Sequence, residues 1–172
     1  MKGKIILFRG FPGVGKTYYS DWLGRRLQIA IVRKDDIYDP LAAYLQTHKE
    51  RNEVCYQVVY QIIGTHLQNE ISLIIDYPFK EIKHLENLDA FVAERGGVLK
   101  SIGCTCSDEA IWAERFNKRA ESPQPNQLIV DFQTLKAYYS KLYLEPYSDE
   151  LVIDSSKPDD KNFMAIQSYV FS

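Results

Sequence analysis

The sequence lacks any long hydrophobic run. Its longest apolar stretch near the N-terminus is Ile5-Ile6-Leu7-Phe8. That is too short for a signal-peptide core or a membrane span, so the expectation is a cytoplasmic protein with no membrane partner. Cysteine is scarce. Cys104 and Cys106 are separated by a single residue and Cys55 stands alone, which gives neither a zinc spacing nor a disulfide framework. All three read as small buried apolar residues. His48, His66 and His84 are scattered through helical stretches without ligand spacing, and no role is assigned to them. An excess of one charge is also missing. Twenty-one basic and 23 acidic residues leave a net charge of −2, with an isoelectric point near 5.9. That balance supplies no general attraction to nucleic acid or to an anionic membrane, so nucleic acid is disfavoured as a partner. No repeat, low-complexity tract or linker divides the 172 residues. They suit a single domain over 1–172 with a real core.

What is present is an alternation of strand and helix signals. Lys4 to Arg9 reads as a buried strand and Thr17 to Leu27 as a helix with Trp22, Leu23 and Leu27 on one side. Ile29 to Val32 is a second strand. Asp39-Pro40 reads as a helix start. Apolar residues from Val54 to Leu67 recur at three-to-four spacing, which predicts a helix over about 51–68. Ile71 to Ile75, closed by Asp76, is a third strand, and Glu81 to Ala93 is helical up to Gly96-Gly97. Val98 to Cys104 is a fourth strand. Ser107 is placed to cap a helix running to about Arg119. Ser122-Pro123-Gln124-Pro125 breaks that helix, and helix resumes over about 127–142. Leu151 to Ile153 is a fifth strand, followed by a helix over about 159–169. Short apolar strands alternating with helices predict a three-layer α/β/α fold around a parallel sheet. Ligands of such sheets sit at the carboxyl ends of the strands. The carboxylates of Asp35, Asp36 and Asp76 are therefore expected to converge there.

The residues after the first strand are Gly10-Phe-Pro-Gly-Val-Gly-Lys-Thr17. Triphosphate oxygens need closely packed donors, and glycines let backbone N–H groups approach them. Gly10, Pro12, Gly13, Val14, Gly15, Lys16, Thr17 and Tyr18 are the expected nucleotide contacts. Lys16 would reach the β- and γ-phosphates, and Thr17 would place its hydroxyl on Mg²⁺. Arg33-Lys34-Asp35-Asp36 follows the second strand. One of the two aspartates could take the proton of an attacking hydroxyl, or either could simply cap a helix. Leu73-Ile74-Ile75-Asp76 ends in a carboxylate suited to Mg²⁺. Tyr77 and Phe79 could line an acceptor pocket or belong to the core. Arg115 and Arg119 share a helix face beside the proline-broken segment, a candidate lid over about 115–130. They could balance the charge of a transferring phosphoryl group, or pair with Glu114 or Glu121. Lys118 is expected to face solvent. Tyr138, Tyr139, Tyr143 and Tyr147 read as a packing face near the lid. The nucleotide base is expected near Arg119 and the loop over 155–158.

Taken together, Gly10 to Thr17, Arg33-Lys-Asp-Asp-Ile-Tyr38, Leu73 to Asp76 and Glu109-x₅-Arg115-x₃-Arg119 resemble the P-loop kinases. They are most similar to the AAA-type predicted ATP-dependent kinases related to polynucleotide 5′-kinase domains. The resemblance covers most of residues 3–157. It implies a P-loop NTPase fold, a five-stranded parallel sheet with a helical lid, and transfer of the ATP γ-phosphate to a hydroxyl. It also selects Asp35 as the general base and carries Lys16, Arg115 and Arg119 into the catalytic set. Where polynucleotide kinases commonly carry a substrate-binding arginine, this chain has Tyr38. The expectation is an ATP- and Mg²⁺-dependent kinase of a small hydroxyl-bearing molecule. A polynucleotide 5′-hydroxyl kinase is the first alternative. A nucleotide-dependent switch is the second, though it would need neither an acceptor base nor a lid.

Overall fold

A computed structural model describes residues 2–139 and 147–172. Its strands are β1 (Lys4–Arg9), β2 (Ile31–Arg33), β3 (Leu73–Asp76), β4 (Val98–Thr105) and β5 (Leu151–Asp154). They form one sheet in the order β2-β3-β1-β4-β5, and every neighbouring pair is parallel. The α/β fold with a five-stranded parallel sheet is therefore the observed architecture. The helices are α1 (Lys16–Leu27), α2 (Lys34–Leu41), α3 (His48–Gln68), α4 (Ile82–Glu94), α5 (Glu109–Ala120), α6 (Phe132–Tyr139) and α7 (Asp159–Phe171). None of the described helices is long and apolar enough to cross a membrane.

Alternation along the strands feeds two cores. Ile5, Leu7, Leu73 and Ile75 face Cys55, Val59 and Ile63 of α3 and Leu85, Leu88 and Val92 of α4. Ile6, Phe8, Ile74 and Ile102 face Tyr19 and Leu23 of α1 and Ile166 and Val170 of α7. Both faces of the sheet are thus covered, which is why its strands read as unbroken apolar runs. A third cluster, Phe116, Phe132, Leu135 and Tyr139, joins α5 to α6 at the edge of the site.

Several boundaries differ from expectation, each for a local reason. Asp39-Pro40 lies in the last turn of α2 rather than at a helix start. That helix begins at Lys34, where Asp35 and Asp36 sit in a first turn that favours acidic side chains. Near the helix end Pro40 removes one intrahelical bond, and the chain closes with Ala42 N–H donating to the Asp39 carbonyl. Helix α3 starts three residues before the predicted Arg51. Thr47 accepts from the Glu50 N–H while the Glu50 carboxylate reaches back to Thr47, a complete capping box. Asp108, rather than Ser107, caps α5 by accepting from the Ala110 and Ile111 N–H groups. Ser107 instead binds Asp154. Helix α6 begins at Phe132 and not at Gln127, because the Asp131 carboxylate accepts from the Thr134 N–H and hydroxyl. The predicted continuation to Leu142, and Tyr143 with it, lies outside the described residues. Tyr147 is no part of a lid face. Its hydroxyl donates to Asp89 of α4, and its ring packs on the first core. Cys55 and Cys104 are buried as expected, but Cys106 is only partly covered.

Arg9, read as the end of an apolar strand, is fully buried. Its guanidinium donates twice to Glu150, at 2.6 and 2.7 Å, and once to the Phe79 carbonyl. The fork ties the strand before the phosphate loop to the residue that precedes β5, and the bond to Phe79 ties it to the segment after β3. Glu150 also accepts from the Ser101 hydroxyl. Removing one partner of a buried pair costs about 3–5 kcal/mol. Glu150→Ala is expected to destabilise the fold by that amount, read as a lower urea midpoint at unchanged slope.

Candidate active site

The carboxyl ends of the strands meet in register. Asp76 pairs in the sheet with Phe8 of β1 and with Arg33 of β2. The loop that follows β1 and the helix that follows β2 therefore open beside Asp76. Between β1 and α1 the chain turns through three glycines with positive φ. At Gly10 a Cβ would lie 2.4 Å from the Cys104 carbonyl oxygen, so no side chain fits and the loop lies flat on β4. At Gly15, φ of +97° opens α1 with its free N–H groups turned toward the loop. Trp112 of α5 donates from Nε1 to the Pro12 carbonyl at 2.8 Å and steadies the loop's far side.

Inside this cradle Lys16 Nζ donates to the Phe11 carbonyl at 3.0 Å. Thr17 donates its hydroxyl to Asp76 at 2.7 Å. Burial raises the Asp76 carboxyl above its ordinary range, opposed by the charge of Lys16 and the Thr17 hydroxyl. A desolvated carboxylate beside a hydroxyl is a hard-oxygen pair that a divalent cation would offset. Thr17 and Asp76 could hold Mg²⁺, which keeps most of its shell as water and phosphate oxygens. No group of three His, Cys, Asp or Glu placed to hold a metal occurs among the described residues.

A cavity of about 700 Å³ adjoins the cradle. Its walls bring together Gly10, Pro12, Lys16 and Thr17 of the loop, Asp76, Asp35 and Arg119. Asp36 does not join them. It is about two-thirds exposed and faces Arg33 at 3.5 Å, and Arg33 in turn pairs with Asp21 of α1. Asp35, one residue earlier on α2, projects into the cavity because the helix rotates successive side chains by about 100°. Tyr77 and Phe79 are fully buried in the first core, while Pro78 and Lys80 beside them line the cavity.

The two arginines of α5 take different partners. Arg119 donates to Asp35 at 3.0 Å and to Asn126 at 2.6 Å. Asn126 binds both carboxylate oxygens of Asp39, so α2 is joined to the segment after α5. Arg115 donates to the Ser155 hydroxyl and carbonyl, and the Ser155 side chain lies against Gly15. Neither arginine pairs with Glu114 or Glu121 among the described residues, and Lys118 is exposed. Tyr18 is half-exposed, with its hydroxyl on Asp159 of α7. Val14 packs into the second core.

Residues with no role in the sequence reading form the rest of the cavity. His48, Asn52 and Tyr56 follow one another at four-residue spacing on α3. That polar-aromatic stripe was the available signal. The two nitrogens of His48 meet the Tyr38 hydroxyl and the Asn52 amide. Burial, with the charges of Lys34, Arg51 and Lys80, lowers its pKa and favours the neutral ring. Lys34 lies in the quoted Arg33-Lys34-Asp35-Asp36 motif without a role there, and Lys80 and Gln127 carried no local signal.

The profile of the AAA-domain family matches residues 5–143. No curated protein matches the sequence. Among solved structures, a candidate kinase from Chloroflexus aurantiacus J-10-fl is 18% identical with a TM-score of 0.80, over 98% of this chain and 99% of that one. The Mycobacterium tuberculosis APS kinase CysC in complex with AMPPNP and APS is 14% identical with a TM-score of 0.70, over 99% of both chains. A chain of the Pnkp1/Rnl/Hen1 RNA repair complex is 20% identical with a TM-score of 0.60, over 84% of this chain and 48% of that one. At such identities the likeness speaks for the fold. With the family profile spanning most of the sequence, the chain belongs to the AAA-domain family and carries the P-loop kinase fold.

Proposed function

We propose that the protein is an ATP- and Mg²⁺-dependent kinase that phosphorylates a hydroxyl group of a small molecule. One observation carries this reading. Asp35 and the phosphate-loop residues Lys16 and Thr17 line the same cavity, so a proton acceptor and a triphosphate cradle share one space. The acceptor oxygen attacks the γ-phosphorus as the bond from that phosphorus to the β–γ bridging oxygen breaks. The hydroxyl proton passes to the Asp35 carboxylate, and ADP leaves. Lys16 and the loop amides hold the β- and γ-phosphate oxygens in line for attack. Thr17 and Asp76 would hold Mg²⁺, whose charge would offset that on the leaving oxygen. Arg119 reaches from its contact with Asp35 to the transferring group, and Arg115 supports the loop through Ser155. Release of Arg119 from Asp35 frees the carboxylate to accept the proton.

A cavity of about 700 Å³ lies within the usual range for small-molecule sites. At the position where polynucleotide kinases commonly carry an arginine, Tyr38 is buried with its hydroxyl on His48, so that cation is missing. The test is release of ADP from ATP against sugars, hydroxy acids, nucleosides and a 5′-hydroxyl oligonucleotide. Acceptor-dependent turnover is expected with a small molecule and not with the oligonucleotide. ATP hydrolysis that no acceptor stimulates would support the switch instead.

A further inference from the structure

The cavity continues past Asp35 into a region with two lysines. Lys34 and Lys80 both line it, from the start of α2 and the segment after β3. Neither makes an ion pair with a carboxylate among the described residues. Instead their ammonium groups lie among tyrosine rings. Lys34 sits 5.5 Å from the ring centre of Tyr38 and 5.9 Å from that of Tyr56. Lys80 lies 4.6 Å from the ring of Tyr139 and donates to its hydroxyl at 2.8 Å. Burial lowers the pKa of both, and the charge of Lys80 lowers that of Lys34 further. Burial also pushes Tyr139 up to about 12, so its phenol stays neutral and leaves the Lys80 charge uncancelled. Asp35, on the wall of the same cavity, offsets Lys34 in part without forming an ion pair with it, and two like charges in one half-buried space remain costly. A bound anion would offset them.

A second observation points the same way. Asn52 Oδ1 and both amide atoms of Gln127 are buried without a hydrogen-bond partner among the described residues, and both side chains line this cavity. Buried polar atoms of this kind are normally satisfied. Hydroxyl groups on a ligand would pair with them.

Resting on the kinase reading above, we infer that the acceptor is a hydroxylated oxyanion, with its carboxylate, phosphate or sulfate group between Lys34 and Lys80. Its reacting hydroxyl then points at Asp35, and its other hydroxyls meet Asn52 and Gln127.

The experiment has a binding arm and a turnover arm. Protein saturated with AMPPNP and Mg²⁺, so that the phosphate loop is filled, is titrated calorimetrically with phosphate, sulfate, acetate and glycerol. At least one anion is expected to bind at 1:1, and glycerol is not. Phosphate and sulfate against acetate tells which oxyanion the pair prefers. Lys34→Met/Lys80→Met is expected to weaken that anion at least tenfold while AMPPNP affinity stays within twofold. Lys80→Arg, which keeps the charge, is expected to retain binding and serves if the double variant does not fold. Absence of anion binding to the wild type, or equal binding by the charge-removed protein, overturns the inference. In the turnover arm, glycerate and glycerol 3-phosphate are compared with glycerol. Equal turnover of charged and neutral alcohols overturns the inference and leaves the kinase standing. Anion binding at the lysines without phosphorylation of any alcohol overturns the kinase and leaves the anion site.

Discussion

Lys16→Ala is expected to lower kcat by about 10²–10³-fold, the usual loss when one positioned donor to transition-state charge is removed. At saturating ATP that corresponds to roughly 3–4 kcal/mol of barrier. The case rests on where the lysine stands before nucleotide arrives. Its ammonium bridges back to the Phe11 carbonyl across the loop, so on the proposed reading it stands ready for the phosphates. Phosphate oxygens replace that carbonyl at little reorganisation cost. The negative charge on the β–γ bridging oxygen grows as transfer proceeds, so the ammonium is worth more in the transition state than in the bound complex. The fold should change little, because the side chain makes one hydrogen bond to a loop carbonyl and the Thr17 hydroxyl still donates to the buried Asp76 once the Lys16 charge is gone. Initial rates with the best acceptor, AMPPNP affinity and a thermal melt together check this. Turnover at wild-type level with an unchanged melt would remove Lys16 from the mechanism and, with it, the phosphate loop from catalysis.

The glycine-rich loop on the cavity wall was legible in the sequence because its determinants are local. Gly10 to Thr17 are consecutive, and their glycines are required by the backbone itself, as the close approach of Gly10 to Cys104 shows. The sheet was legible for a related reason. Strands buried on both faces must be apolar throughout, so Lys4–Arg9 and Leu73–Asp76 stood out as runs ending in polar residues. The far wall of the cavity was not legible. Lys34, His48, Lys80 and Gln127 reach the cavity from four different segments, and nothing local marks a residue that will meet another only after folding. The pairing of Arg9 with Glu150 spans 141 positions, and it hid a buried charge inside what looked like an apolar strand. Local signals also competed. Asp39-Pro40 has the chemistry of a helix start, yet Asp39 is used to hold Asn126. Thr47 and Glu50 have the spacing of a capping box, but the stronger apolar periodicity begins only at Val54.

Asp35→Asn should cost more than any substitution on the opposite wall of the cavity, about 10²–10⁴-fold in kcat, the range for removing a general base. Asparagine keeps the size of the side chain and can still accept from Arg119, so the contact between α2 and α5 survives in weakened form. What it loses is the capacity to take the acceptor proton. The loss should therefore appear in acceptor-dependent turnover while AMPPNP affinity stays close to wild type, since among the described residues Asp35 makes its hydrogen bond and ion pair to Arg119 and none to the phosphate loop. Asp36→Asn is the matched control. Its carboxylate is about two-thirds exposed, pairs with Arg33 and does not line the cavity, and a change at such a surface position is expected to alter turnover by about twofold or less. The pair of variants decides between two adjacent aspartates that the sequence alone could not separate. If Asp36→Asn abolished turnover and Asp35→Asn did not, the base would have to act from outside the cavity, and the shared space of donor and acceptor would no longer explain transfer. If both were active in ATP hydrolysis and neither responded to any acceptor, the carboxylate beside Arg119 would be a latch for the lid in a nucleotide switch. The expected order is a large loss at Asp35 and a small one at Asp36. It follows from a single step of helical rotation that turns one side chain to the cavity and its neighbour to solvent.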